Sequence, residues 1–356
     1  MLNDFIRQLE AGVALGPPQV TAAVAALVDE AIAAETKAAF LTALARKGET
    51  TEEIAAFARE LRDRSVPVPL DADTRAGEIL DVCGTGGDRL NTFNISTTVA
   101  LVCAAAGVTV AKHGNRAITS QSGSADVLEA LGVPVELSPE QVAASLRSHG
   151  FAFLFAPKFH PAFKHIGPAR KLCAERGQRT IFNFLGPLLN PVRPSAQIIG
   201  VPRPELCEPM AKVLQSLGVR RGMVVCGEVS GSGFKVQGSE APAFLDELST
   251  LGETTIAEFY HDRGFAVSKL SPKDFPLQPA ALADLAGGDR AANAEIVRNV
   301  LGGRERGPKR DAVLLNAAAA LFVAGRAKSF SAGWELAAQT LDGGQATAKL
   351  AELSRQ

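Results

Sequence analysis

The sequence predicts an α/β protein: a small N-terminal helical bundle domain plus a large α/β domain with a mostly parallel central sheet covered by helices. Three observations predict it. Residues 1–64 carry Ala, Leu, Glu, Arg and Lys at helical spacing, with no β-branched run to interrupt them. After Val66-Pro67-Val68-Pro69, short apolar segments alternate with helical ones, the rhythm of strands buried on both faces. At ~150 residues per domain, 356 residues leave room for two domains.

Each element carries its own start or stop signal. Gly16-Pro17-Pro18 separates the first helix from the second, and Lys47-Gly48-Glu49-Thr50 ends one helix on Gly48 and begins another. Thr50 and Glu53 are spaced as a reciprocal capping box, so the bundle holds three to four helices. Strands are expected at 77–83, 108–111, 151–155, 197–201 and 222–226, with helices at 97–106, 124–131 and 138–149 between them. The last of these opens on Ser138-Pro139-Glu140-Gln141, with Pro at the first helical position and Gln closing the cap. Residues 161–177 are again helical, and the chain ends in helices at 311–327, 331–341 and 346–354. The expected division is therefore 1–65, with a second contribution from about 161–180, and 66–356.

Composition removes several function classes. Lys and Arg number 37 against 38 Asp and Glu, a net charge of -1 that lacks the broad basic footprint of a general nucleic-acid or anionic-membrane binder. Aromatic residues are 18 Phe with one Trp and one Tyr, suited to core filling more than to stacking bases. Five scattered cysteines with no CxxC pair fit a reduced, cytoplasmic chain. The opening MLNDFIRQLEAG reads as an amphipathic helix rather than a signal peptide, and no stretch of about 18 apolar residues suggests a membrane span.

The strongest local signal is Gly84-Thr85-Gly86-Gly87-Asp88, directly after a buried strand and followed by Asn91-Thr92-Phe93-Asn94-Ile95-Ser96-Thr97 at the mouth of a helix. Glycines let the backbone approach a ligand, and Asn94, Ser96 and Thr97 add donors beside the free N–H groups of a helix start. That suits a phosphate or pyrophosphate, though a tight strand-to-helix turn would use the same residues. A dinucleotide fingerprint would need Gly at position 89, which is Arg89, and no P-loop occurs. A second loop, residues 112–124, gathers Lys112, His113, Asn115, Arg116 and four hydroxyls around two glycines at the carboxyl end of the next strand. In open α/β sheets that edge is where ligands bind, and two such loops could converge on one polyphosphate.

GTGGD, NTFNIST, KHGNR, SGSADVLE, RTIFNFLGPLLNP and the N-terminal KGET, six motifs in the right order along the chain, closely resemble the anthranilate phosphoribosyltransferase family, from roughly residue 10 to 340. The resemblance implies the fold shared with pyrimidine nucleoside phosphorylases and a homodimer through the helical domains. It implies transfer of phosphoribose from phosphoribosyl pyrophosphate to anthranilate in tryptophan biosynthesis. It further implies a phosphoribosyl pyrophosphate site made of Gly84, Gly87, Asp88, Thr92, Asn94, Ile95, Ser96, Thr97, Lys112, His113, Gly114, Asn115, Arg116, Ala117, Ile118, Thr119, Ser120 and Ser124. Lys112 would neutralise phosphate charge. Gly84, His113, Asn115 and Arg170 would receive anthranilate.

Two Mg2+ ions per site follow from the same resemblance, one with Ser96 as a ligand and one held through the substrate by Asp246 and Glu247. A Ser hydroxyl and phosphate oxygens suit this hard cation. Arg170 has an independent physical rationale: a planar guanidinium grips a carboxylate through two parallel hydrogen bonds, which Lys171 beside it does less well. The same arginine would also serve as an ordinary helix-surface residue. The chain departs from the family pattern at residues 229–243, which look like an insertion, and at Phe244, where Gly is common. A pyrimidine nucleoside phosphorylase and a non-catalytic, nucleic-acid-binding relative are the competing readings.

Overall fold

In the computed structural model, residues 1–117, 121–229, 243–261 and 263–356 are described. Four helices open the chain: α1 (Leu2–Glu10), α2 (Pro17–Val28), α3 (Ala34–Lys47) and α4 (Thr51–Asp63). In α1 the apolar side chains at Leu2, Phe5, Ile6 and Leu9 recur at i, i+3, i+4 and i+7, and they form its inner stripe. The expected capping box is present. Thr50 Oγ1 accepts from the Glu53 N–H at 3.1 Å, and Glu53 Oε2 accepts from the Thr50 N–H at 2.9 Å. Glu53 also takes the Leu15 N–H at 2.9 Å and pairs with Lys47 at 2.6 Å, both side chains buried.

A short α5 (Ala72–Ala76) leads into β1 (Ile79–Gly84), then α6 (Ile95–Ala105), β2 (Thr109–Gly114), α7 (Ser124–Ala130), α8 (Pro139–His149) and β3 (Phe151–Phe155). Beyond α9 (Ala156–Phe159) the helical stretch expected at 161–177 divides. A 3-10 turn covers Pro161–His165, and α10 (Gly167–Glu175) starts afresh because Pro168, lacking an N–H, sits in its first turn. Then follow α11 (Phe182–Leu185), β4 (Ala196–Gly200), α12 (Cys207–Ser216) and β5 (Arg221–Val229). After β5 come β6 (Ala243–Leu245), β7 (Thr254–Tyr260) and β8 (Arg263–Leu270). The chain closes with α13 (Arg290–Leu301), α14 (Pro308–Val323), α15 (Phe330–Asp342) and α16 (Gln345–Leu353).

The strands form one sheet in the order β3-β2-β1-β4-β5-β7-β8, with β6 on the far end of β5. The five strands expected from sequence, β1 to β5, run parallel. Three antiparallel strands, β6 to β8, are added to them, and α12 and α13 were likewise not expected. The order of the parallel part reverses between β1 and β4, so the loops leaving those two strands diverge and open a crevice at their carboxyl ends. Residues 230–242, nearly all of the apparent insertion, lie outside the described residues.

Side chains alternate across the sheet. Leu80, Val82, Ile198, Met223 and Val225 join the core beneath α6 and α14, while Cys83, Ile199, Val224 and Cys226 face α12 and the helical bundle. The bundle is fastened there by polar contacts as well. Arg59 and Arg62 of α4 donate to the last carbonyls of α12, at Ser216 and Leu217, each at 3.2 Å. Buried Lys37 of α3 donates to the carbonyls of Asp29 and His165, at 2.6 and 2.9 Å, so the 161–165 turn is tied to the bundle. All five cysteines are free thiols and buried. Among the described residues no helix is long and apolar enough to cross a membrane.

Candidate active site

The crevice at the reversal of strand order is shaped by two glycines. Gly84 ends β1 beside Gly200, its register partner at the end of β4, and Asp246 lies over both. A Cβ on Gly84 would stand 2.6 Å from Asp246 Oδ2, and one on Gly200 would overlap the Asp246 carbonyl. Asp246 Oδ2 in turn accepts the Gly86 N–H at 2.6 Å, with Gly86 in a left-handed conformation at φ 72°. Two non-glycine residues of the same loop, Arg89 and Asn91, also have positive φ, 59° and 52°, strain that a ligand-binding loop commonly carries.

One cavity of about 670 Å3 gathers most of the expected residues. Gly84, Asp88, Thr92, Asn94, Ile95, Ser96 and Thr97 line one side, Lys112, His113, Gly114, Asn115, Arg116, Ala117 and Ser124 the other, and Asp246 and Glu247 the floor. Gly87 and Arg170 do not line it. They belong to a neighbouring pocket of about 470 Å3 that shares Thr85, Gly86 and Arg89 with the cavity. The residues expected to receive anthranilate are therefore divided, with Gly84, His113 and Asn115 in the cavity and Arg170 beyond the glycine loop. Ile118, Thr119 and Ser120 lie outside the described residues.

The acidic floor is crowded. Burial first, then the neighbouring Asp88 and Glu247 charges, push the Asp246 carboxyl well above its ordinary range. Burial lifts Glu247 to about 8, opposed by the Lys112 ammonium and by the Ser96 N–H, which donates to its Oε1 at 3.2 Å. Lys112 is 2% exposed. Its Nζ donates to the Val82 carbonyl at 2.6 Å and to Ser96 Oγ at 3.3 Å, which sets the ammonium beneath the loop rather than out in the cavity. Arg116 is held by Glu129 at 2.9 Å and Asp126 at 3.3 Å, with its guanidinium over the Phe155 ring, so much of its charge is already matched.

A run of rings joins the two pockets behind the loop. His113 meets His160 edge-on with centroids 5.2 Å apart, His160 meets Phe163 at 5.2 Å, and Phe163 meets Phe182 at 5.7 Å. The Arg170 guanidinium lies 5.1 Å from the Phe182 centroid, on the wall of the second pocket. Burial, reinforced by its neighbour His160, pulls the His113 pKa down to about 3, so its imidazole is neutral. Thr85, Arg89, Ser122 and Asn183 also line these pockets without having been singled out from sequence. Thr85, Ser122 and Asn183 lie inside motifs already quoted and Arg89 falls between two of them, so the signal was place in a loop rather than residue type.

Comparison with known proteins agrees with this fold. Residues 76–347 match the α/β domain of a glycosyl transferase family, and residues 3–65 match that family's helical bundle domain. The chain is 48% identical over 327 residues to the anthranilate phosphoribosyltransferase of Geobacter sulfurreducens, covering 89% of this chain and 88% of that protein. The solved anthranilate phosphoribosyltransferase of Thermus thermophilus superposes with a TM-score of 0.85 at 40% identity, covering 99% of this chain and 98% of the other. The Saccharomyces cerevisiae enzyme, solved in complex with PRPP and Mg, superposes at 0.83 with 28% identity, over 99% and 96% of the two chains. With both domains matched and identity this high over nearly nine-tenths of its length, the chain belongs to the anthranilate phosphoribosyltransferase family.

Proposed function

We propose that the crevice between β1 and β4 transfers the 5-phosphoribosyl group of phosphoribosyl pyrophosphate to the amine of anthranilate, giving N-(5-phosphoribosyl)anthranilate and pyrophosphate in tryptophan biosynthesis. The observation that carries this reading is the pairing of an anion cradle with a separate arginine-walled pocket across a single glycine loop. The phosphoribosyl pyrophosphate cradle consists of the loop from Gly84 to Thr97 and the loop from Lys112 to Ser124. Its donors are drawn from the start of α6 and the hydroxyls of the two loops, with the Ser96 and Gly86 N–H groups already given to Glu247 and Asp246.

Anthranilate fits the second pocket, its carboxylate gripped by Arg170 and its ring against Phe184 and the Thr85–Gly86 backbone. A neutral aromatic amine needs orientation more than a base. Its nitrogen bonds to the anomeric carbon as the bond to the pyrophosphate oxygen breaks, and one amine proton passes to solvent. His113, held neutral, adds no positive charge to compete with Arg170 for the carboxylate.

The residues present fit Mg2+. Asp246 and Glu247 lie buried beside half-buried Asp88, whose charge raises the affinity of both for protons, a crowding that a hard divalent cation relieves. Asp246 and Glu247 would hold one ion and Ser96 Oγ a second, with substrate oxygens completing both. When bound, the metal supplies charge neutralisation at the departing diphosphate.

We also place the domain division at 1–65 together with 161–180, on the strength of the Lys37–His165 tie and the packing of α10 on α3. A homodimer contact is placed on the groove of about 630 Å3 between α1 and α3, where Ile6 and Ala39 offer apolar surface. Mixing the protein with phosphoribosyl pyrophosphate, Mg2+ and anthranilate should quench anthranilate fluorescence as product forms, whereas thymidine with phosphate should give no thymine. The reverse pattern would assign the site to nucleoside phosphorolysis instead.

A further inference from the structure

We infer that Asn293, on α13 and outside the cavity, is a positioning residue for the phosphoribosyl pyrophosphate cradle and acts through Asn94. Asn293 is 3% exposed, and both ends of its carboxamide are engaged. Its Oδ1 accepts the Gly288 N–H at 2.8 Å, and its Nδ2 donates to Asn94 Oδ1 at 2.9 Å. Asn94 Nδ2 then donates to the Ser122 carbonyl at 3.3 Å. A backbone N–H can only donate and a backbone carbonyl can only accept. The two ends of this relay therefore fix which way both amides point.

The relay ties together three segments: the turn before α13, the loop that starts α6, and the second loop that ends in α7. Backbone bonds stitch the first two alongside it, Phe93 N–H to the Leu285 carbonyl at 3.0 Å and Gly287 N–H to the Asn91 carbonyl at 2.9 Å. Their approach is so close that a Cβ on Gly287 would stand 2.8 Å from Asn293 Oδ1 and 2.9 Å from Phe93 Cα. The Asn94 carbonyl caps the start of α6 by accepting from the Thr98 N–H and hydroxyl. The position of Asn94 therefore sets both the helix start that faces the cavity and its distance from the Ser122 loop opposite. A diphosphate spanning the two loops meets a gap whose width is held from α13.

The inference rests on reading the cavity as the phosphoribosyl pyrophosphate site. Its test is initial-rate kinetics and thermal melting of Asn293→Ala, Asn293→Asp, Asn94→Ala and the Asn94→Ala/Asn293→Ala double variant. Aspartate keeps the shape and can accept from Gly288, but its carboxylate cannot donate to Asn94 Oδ1, so it separates the relay from simple packing. Both Asn293 variants should raise KM for phosphoribosyl pyrophosphate about tenfold, the effect of one lost buried hydrogen bond, while KM for anthranilate stays within about twofold. The double variant should be no worse than Asn94→Ala alone. A phosphoribosyl pyrophosphate KM within about twofold of wild type in Asn293→Asp, equal losses in every parameter with a fallen melting temperature, or independent effects of the two sites would overturn it. Wild-type protein without turnover would remove the reading of the cavity itself; wild-type turnover with unchanged variants would remove the relay alone.

Discussion

Asp246 is the residue around which the crevice is built. Two strands must end in glycine to admit it, and the Gly86 N–H must turn inward to hold its carboxylate. Such a charge, buried beside Asp88 and Glu247, is costly unless something positive is brought to it. That cost is the physical argument for a cation-dependent site. Replacing both Asp246 and Glu247 by Ala should lower turnover more than about tenfold and flatten its dependence on Mg2+ in a titration of initial rate against metal concentration. Full retention of rate and metal dependence would move the ion to other carboxylates.

At the scale of elements, Glu53 ties the segment KGET to three parts of the bundle. One carboxylate caps α4, pairs with Lys47 at the end of α3 and takes the Leu15 N–H from the loop before α2. Glu53→Ala should cost about 3 kcal/mol or more in urea unfolding, because it leaves the buried Lys47 ammonium without its partner; a loss below about 1 kcal/mol would contradict that role. Signals of this kind are local, which is why the helix boundaries at Gly48, Thr50 and Ser138 were legible in the sequence. Strands β7 and β8 were not. β8 is the last strand of the sheet, with residues such as Val267 exposed, so it lacks the continuous apolar run that marked β1 to β5, and its pairing is decided by the fold. The Asp246 contact to Gly86 spans 160 residues, and the positive φ of Arg89 and Asn91 has no sequence signature, so both emerge only once the sheet is assembled.

Across the whole molecule, the sheet separates two packed layers: α6 and α14 back the proposed anion cradle, while α12 and the bundle support the opposite face. The histidines at this junction link stability to pH. Burial holds His113 at about 3 and His160 at about 4, both below the ordinary 6.5, so the unfolded chain binds more protons in that range. Their contribution to stability is therefore complete above about pH 6.5 and is lost as pH falls toward about 4 for His160 and about 3 for His113. His160→Gln should make the acid limb of unfolding free energy against pH shallower by up to one proton, and an unchanged slope would contradict its buried neutral state.

The proposed function puts two substrates in two pockets on either side of one glycine loop, the anion in the 84–124 cradle and the aromatic acid at Arg170. Initial rates of Arg170→Ala over a grid of both substrates test it most directly. A gripped carboxylate predicts that KM for anthranilate rises tenfold or more while KM for phosphoribosyl pyrophosphate stays within about twofold. An unchanged anthranilate KM, or a rise confined to phosphoribosyl pyrophosphate, would contradict the division of the site.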